Sequence, residues 1–277
     1  FVTTFHVNYN FSNPLKKCYN LVMVRADFVI GCSNFIFEHL YLNYGDYFKD
    51  KKRKFLVIFR GINTDFYNPK KIDQNKLEKK MQEWKVDKEK FIILLPGRLT
   101  RWKGQEVFID ALNILNQQYN IKSFLAIILG DDQGRKVYSK KLESLAERYR
   151  LNNNLIFVPK CEEMPIAYEM AHVVVSASIE PEAFGRISVE AQSMQKAIIA
   201  SNIGGSKETI INDKTGFLIE AGNSNALAEK LIEAMNMDHW TLQSIGIEGR
   251  KNVLKKFDID RMCFSTFSEY KKLLEYH

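Results

Sequence analysis

No apolar stretch in the sequence is long enough to cross a bilayer. The longest runs, at 91–95 and 172–177, fall far short of the roughly 20 residues a membrane helix needs. Proline and glycine are sparse, at 6 and 14 of 277 residues, which excludes collagen-like and Pro/Gly-rich low-complexity chains. Cysteine is scarce too. Cys18, Cys32, Cys161 and Cys263 lie far apart, with no C-x-x-C pair and no histidine at ligand spacing. That pattern indicates neither a disulfide scaffold nor a zinc site, and the expectation is reduced thiols in a cytoplasm. The only D-x-D, formed by Asp258, Ile259 and Asp260, opens the last helical stretch and reads as N-terminal capping rather than as a metal motif. There is no internal repeat. An initiator methionine is also missing: the chain opens at Phe1 directly in a strand-like run, and the expectation is a piece of a longer, N-terminally incomplete sequence.

What is present is a globular composition, 45% apolar and 26% charged, which has too much apolar content for intrinsic disorder. At roughly 100–200 residues per domain, the length allows about one and a half to two domains. Forty basic against 33 acidic side chains leave a net charge of +7. Part of that excess is concentrated in Lys49, Lys51, Lys52, Arg53 and Lys54. Such a cluster is either a solvated loop or a patch facing anionic phosphates, of membrane lipid or of a charged substrate. No helix-turn-helix, finger or aromatic RNA-binding motif accompanies it, which argues against nucleic acid.

From residue 91 to 216, short aliphatic runs alternate with longer amphipathic stretches, the pattern of βαβ units around a parallel sheet. Strands are expected at 91–95, 124–129, 155–158, 173–177, 197–201 and 217–219, with helices at 105–118, 136–149, 164–170, 185–194 and 207–211. Helical patterns at 224–235, 241–255 and 258–276 follow. The first 60 residues repeat the grammar in short form, with strands at 2–5, 28–30 and 55–59 and helices at 14–25 and 34–44. The expected division is a partial Rossmann-like domain at 1–60, a turn-rich linker at 61–72, a complete Rossmann-like domain at 73–256, and a C-terminal helix at 257–277 that packs back towards the N-terminal part.

In an open parallel sheet, ligands bind beyond the carboxyl ends of the strands. The loop after the 91–95 strand holds Gly97, Arg98, Arg101, Lys103 and Gly104: cations at the mouth of the sheet, with glycines that let the backbone approach closely. This suits a diphosphate, though an ordinary basic loop has the same composition. After the 173–177 strand, Glu182 falls just before the start of a helix and Glu190 five residues into it, roughly 7.5 Å along its axis. Free N–H groups at a helix start attract phosphate. A carboxylate can accept from two vicinal ribose hydroxyls.

The run E-A-F-G-R-I-S-V-E-A, preceded by P-G-R-L-T-R-W-K-G at 96–104 and followed by A-S-N-I-G-G-S-K-E at 200–208, resembles the nucleotide-sugar-dependent retaining glycosyltransferases of family four. The resemblance spans about residues 1–237. Its narrower likeness, through V-I-F-R-G-I-N at 57–63 and M-P-I-A-Y at 164–168, is to bacterial lipopolysaccharide core sugar transferases. It implies an α/β fold of GT-B type. It also implies roles for named residues. Arg98 and Lys103, beside Gly97, match the cations that neutralise the donor diphosphate. Glu190 matches the acid that holds the ribose, and Glu182 the acid that meets the donor sugar. The backbone amides of Phe184 and Gly185 match those facing sugar and phosphate. Lys160 and Met164 fall where the nucleobase lies, and His6 matches a histidine that approaches the donor sugar from the opposite domain. Val7 and Pro159 depart from the pattern, standing where glycine is usual.

The resemblance implies no cofactor and no metal. The donor expected is GDP-mannose first, or a UDP-sugar. The acceptor expected is a lipid-linked saccharide of the lipopolysaccharide core or a related glycolipid, met in the cytoplasm at the inner face of the membrane. Two rival expectations stand beside it: a donor-binding remnant or subunit that needs a complementing N-terminal polypeptide, and a related fold with other chemistry, such as an epimerase.

Overall fold

The computed structural model describes residues 1–8, 14–48 and 54–275. Most of the basic cluster, at 49 and 51–53, lies outside the described residues; Lys54 lies within them and pairs with Glu269 at 3.0 Å.

The chain begins with strands β1 (Val2–Phe5), β2 (Phe28–Gly31) and β3 (Lys54–Val57), separated by helices α1 (Pro14–Val24) and α2 (Asn34–Tyr44). The three strands pair in the order β1-β2-β3, all parallel. Helix α3 (Gln74–Glu83) follows, capped by Asp73, whose carboxylate accepts from the N–H groups of Asn75 and Lys76. No residue of α3 is fully buried; its apolar stripe is only Leu77 and Met81, partly covered against the core, too short to make the helix legible in sequence, and it is absent from the expected elements.

Six further strands form one parallel sheet: β4 (Phe91–Pro96), β5 (Phe124–Leu129), β6 (Leu155–Val158), β7 (Val173–Ser176), β8 (Ala197–Ser201) and β9 (Phe217–Ile219). Their order, β6-β5-β4-β7-β8-β9, starts from a central pair and winds outward both ways. The direction of winding reverses between β4 and β7, and a crevice opens there beyond the carboxyl ends of the strands. The crossovers are α4 (Gln105–Gln117), α5 (Lys136–Arg148), α6 (Met164–Met170), α7 (Arg186–Ser193) and α8 (Ser206–Thr209), followed by α9 (Ser224–Asn236), α10 (His239–Lys256) and α11 (Ile259–Glu275).

Side chains alternate across the sheet as the pleat requires. Ile93 and Leu95 face a core with Phe108, Leu112 and Leu227, whereas Ile92 and Leu94 face another with Tyr168, Val189 and Phe257. The second core continues into the first sixty residues through Phe5, Val29, Ile36 and Leu40, so one apolar interior spans both sheets.

The segment 58–72 is not free-running. Ile62 donates its N–H to Phe257 O at 2.9 Å and accepts from Ile259 N–H at 2.9 Å, and Gly61 N–H reaches the sulfur of Met262. Asp258 caps α11 by accepting from Asp260 N–H at 2.8 Å, and it also takes the hydroxyl of Thr64. Helix α11 therefore lies beside the N-terminal part, where its Glu269 meets Lys54.

Candidate active site

The crevice between the two sheets is a cavity of about 800 Å³. Every residue given a role by the resemblance reaches it, His6 from one side and Gly97, Arg98, Lys103, Lys160, Met164, Glu182, Phe184, Gly185 and Glu190 from the other; Arg101, the third cation of the loop after β4, does not line it and pairs with Glu180 at 3.2 Å.

Two loops shape the larger wall. After β4 the chain makes a short 3-10 turn (Arg101–Lys103) and closes at Gly104, whose φ of +72° is left-handed. A Cβ there would stand 1.9 Å from Ala177 O, so only glycine lets this loop lie against the end of β7. The turn aims Lys103 across the crevice. Its Nζ lies 4.5 Å from the centre of the Trp102 ring and 2.8 Å from Glu182 Oε1, and both side chains of the pair are 11% exposed. Ser178 donates its hydroxyl to the same oxygen at 2.5 Å. The sequence assigned Lys103 to phosphate and Glu182 to sugar separately; the structure joins them in one ion pair. Arg98 is exposed at the cavity with no hydrogen-bond or ion-pair partner for its side chain among the described residues.

After β7 the loop ends at Gly185, with φ +85° and with Ser206 too close for a Cβ. Helix α7 starts one residue later than expected, at Arg186, and no side chain caps that end. Its first N–H groups therefore face the cavity as donors, with the positive end of the helix dipole behind them. Glu190, buried in the second turn, accepts from Arg186 Nε at 2.8 Å and from Tyr168 OH at 2.8 Å. Burial, reinforced by the Glu190 charge, pushes the Tyr168 hydroxyl far above its usual range, so it stays a donor at any ordinary pH. The Tyr67 hydroxyl also meets Glu190, which is thus a carboxylate braced by three neighbours at the edge of the cavity.

Lys160 is exposed and pairs with Glu162 at 2.8 Å, while Met164 opens α6 beside Pro165. His6 is exposed at the rim. Protein that displaces water around its ring, and the positive charge of Arg60, hold its pKa below the usual 6.5.

Several residues at the site were in the sequence but carried no assigned role. Arg60, within V-I-F-R-G-I-N, and Arg186, inside the E-x7-E run, both line the cavity. Glu208, at the end of G-G-S-K-E, crosses to the N-terminal part: it accepts from Phe35 N–H at 2.6 Å and from Asn34 N–H and Nδ2 at 2.8 Å each, capping α2. Beside it, Ser33 donates its hydroxyl to Ala183 O at 2.5 Å, and Gly205 N–H donates to Glu182 O at 2.7 Å. The loop bearing Glu182 and Phe184 is therefore braced from both sheets. Spacing within one motif carries no signal for a contact made 174 residues away.

The model of a family described as glycosyl transferases group 1 matches residues 76–252, well over half of the chain. The chain belongs to the group 1 glycosyltransferases. It is 30% identical over 227 residues to the capsular polysaccharide biosynthesis glycosyltransferase CapM of Staphylococcus aureus, covering 81% of this chain and 57% of that protein. Among solved structures, a glycosyltransferase from Rickettsia africae is 35% identical with a TM-score of 0.90, covering all of this chain and 71% of that one. Anabaena HepE in complex with UDP-glucose superposes with a TM-score of 0.85 at 23% identity, covering 98% of this chain and 72% of HepE, a likeness of fold. These group 1 neighbours carry the GT-B fold, in which two Rossmann-like parts face each other across a cleft. The chain spans less than two thirds of CapM. Among the described residues, no helix is long and apolar enough to cross a membrane, and no three His, Cys, Asp or Glu side chains cluster as a metal site.

Proposed function

We propose that the protein transfers a hexose, with retention, from a nucleotide diphosphate sugar to a saccharide acceptor. The observation that carries this reading is the convergence of Arg98, the Lys103–Glu182 pair, the uncapped start of α7 and the braced Glu190 on one cavity. Glu190 borders the cavity and is the acid that would accept from the ribose hydroxyls. Arg98, Lys103 and the first N–H groups of α7 supply donors for a diphosphate, and they are set in place before the reaction. Donors arranged in advance stabilise the charge that develops as the sugar C1–O bond breaks. The acceptor hydroxyl forms the new C1–O bond on the face the diphosphate leaves, and its proton passes to the departing phosphate oxygen. Glu182, beside Lys103, lies where it can meet the sugar hydroxyls, and His6 approaches from the opposite wall.

The donor proposed is GDP-mannose or a UDP-sugar; the UDP-glucose complex of HepE supports testing uridine first. A lipopolysaccharide core or related glycolipid acceptor, at the cytoplasmic face of an anionic membrane, is in keeping with the basic cluster at 49–54 and with the surface polysaccharide role in the name of CapM. Transfer of labelled sugar from UDP- and GDP-sugars to lipid-linked saccharide tests this reading. Glu190→Ala and Lys103→Ala are each expected to lower the rate by about 10²-fold or more; full activity in either variant overturns the assignment. A second reading, donor binding without turnover until a complementing polypeptide is added, is favoured by the small N-terminal sheet, whose strands β1 and β3 are both edges. The same assay separates the two by adding that polypeptide.

A further inference from the structure

A second cavity of about 360 Å³ adjoins the first and shares Arg60 and Arg186 with it. Arg60 comes from the segment after β3, and Arg186 is the first residue of α7, so each part of the protein contributes one guanidinium. The charged side chains that line it are both cations, and its other polar side chains are Asn63 and Tyr67, the latter engaged with Glu190 and Arg186. Arg60 is half-buried, and its side chain has no hydrogen-bond or ion-pair partner among the described residues. Arg186 uses its Nε on Glu190 and also meets the Tyr67 hydroxyl, while more than half of its side chain stays exposed and it borders both cavities. Asn63 accepts through Oδ1 from the N–H groups of Asp65 and Phe66, at 3.0 and 2.8 Å, so its Nδ2 is the end free to donate. Phe66 adds an apolar face, and no acidic residue lines this cavity among those described. The unpaired guanidinium of Arg60, the exposed part of the Arg186 guanidinium beyond its pair with Glu190, and an amide donor together match the geometry of an oxyanion. The aromatic edge suits the carbon face of a sugar ring.

We propose that this cavity is an acceptor subsite for a saccharide bearing an oxyanion, a phosphate or a carboxylate, held between Arg60 and Arg186 next to the transfer cleft. The proposal rests on the transferase reading and narrows its acceptor to an anionic one. It also explains why an unpaired arginine is kept half-buried at the cleft, where an unpartnered charge otherwise costs stability.

The test is binding at low salt, with UDP saturating. Mannose 6-phosphate is compared with mannose, and glucuronate with glucose, with inorganic phosphate alone as a further arm. At least one anionic sugar should bind about tenfold or more tighter than its neutral twin and more tightly than phosphate alone; which pair shows the preference identifies the oxyanion. Arg60→Ala should abolish the preference and Arg60→Lys should retain part of it, while UDP affinity stays within about twofold. Equal binding of anionic and neutral sugars by the unaltered protein overturns the proposal. So does a parallel loss of UDP affinity in Arg60→Ala, which would assign Arg60 to the donor diphosphate. Should neither UDP nor GDP bind the unaltered protein, the transferase reading fails. The anion preference and its loss in Arg60→Ala are then read without nucleotide and decide this proposal separately.

Discussion

Lys103 and Glu182 form an ion pair from which water is largely excluded, and its chemistry is mutual. Each side chain satisfies the other until a ligand arrives with its own negative charge for the lysine and its own hydroxyls for the acid. Removing one partner strands the other in a site that solvates it poorly. Lys103→Met is therefore expected to destabilise the fold by about 3 kcal/mol, whereas the double variant Lys103→Met/Glu182→Gln should recover most of that loss in urea denaturation. Additive losses would show that the pair is not coupled. His6 offers a second residue-level check. Its imidazole should titrate below 6.5 by NMR, because the surrounding protein and then the Arg60 charge disfavour the protonated ring. Arg60→Ala removes the second cause, so the midpoint should rise; a midpoint that stays put or falls removes Arg60 from the ring's surroundings. The sign follows from charge alone: a cation nearby makes imidazolium harder to form, so His6 is neutral over more of the range just below 6.5 than a free histidine is.

Among the elements, α2 shows how the cleft is held. Its first N–H groups would face solvent unsatisfied, and they are taken by Ser33 from its own chain end and by Glu208 from the other sheet. A carboxylate at a helix start gains from the dipole as well as from the hydrogen bonds. Glu208→Gln keeps the shape and loses the charge. It should speed hydrogen exchange at the Asn34 and Phe35 amides by about tenfold, equivalent to roughly 1.4 kcal/mol, while the core strands β4 and β5 stay protected. Unchanged exchange at those two amides would mean that the contact contributes nothing. This element also marks the limit of what the chain reveals before it folds. Periodicity located α2, β5, β6, β8 and β9 to the residue, because each has a buried face that imposes its period. It missed α3, which covers only Leu77 and Met81, and those in part. It placed strand β3 at 55–59, whereas pairing stops at Val57; there the chain leaves the sheet for the linker, although Ile58 N–H still donates to Gly31 O at 3.0 Å. The motif acids and cations were visible as residue types in loops at the end of the sheet. Their partners Tyr168, Arg186, Ser33 and Glu208 were not, since a partner is set by where the chain returns.

At the scale of the whole molecule, the two sheets share one apolar interior, cross-linked by Ile62 to the start of α11, by Lys54 to Glu269 and by Glu208 to α2. The cleft sits at the seam, so its walls come from both parts, with Arg98 and Lys103 on one side and Arg60 from the segment after β3. Together with a net charge of +7, this favours anionic ligands at the seam over neutral ones. The central claim is that the seam binds the nucleoside diphosphate of a sugar donor through Glu190, Arg98 and Lys103. Calorimetric titration with UDP and with GDP tests it most directly, on the unaltered chain and on Glu190→Ala. The account predicts saturable one-to-one binding of one nucleotide, lost or weakened by at least about tenfold in Glu190→Ala, a loss of 1.4 kcal/mol or more. Binding of neither nucleotide, or equal affinity in both proteins, would contradict it.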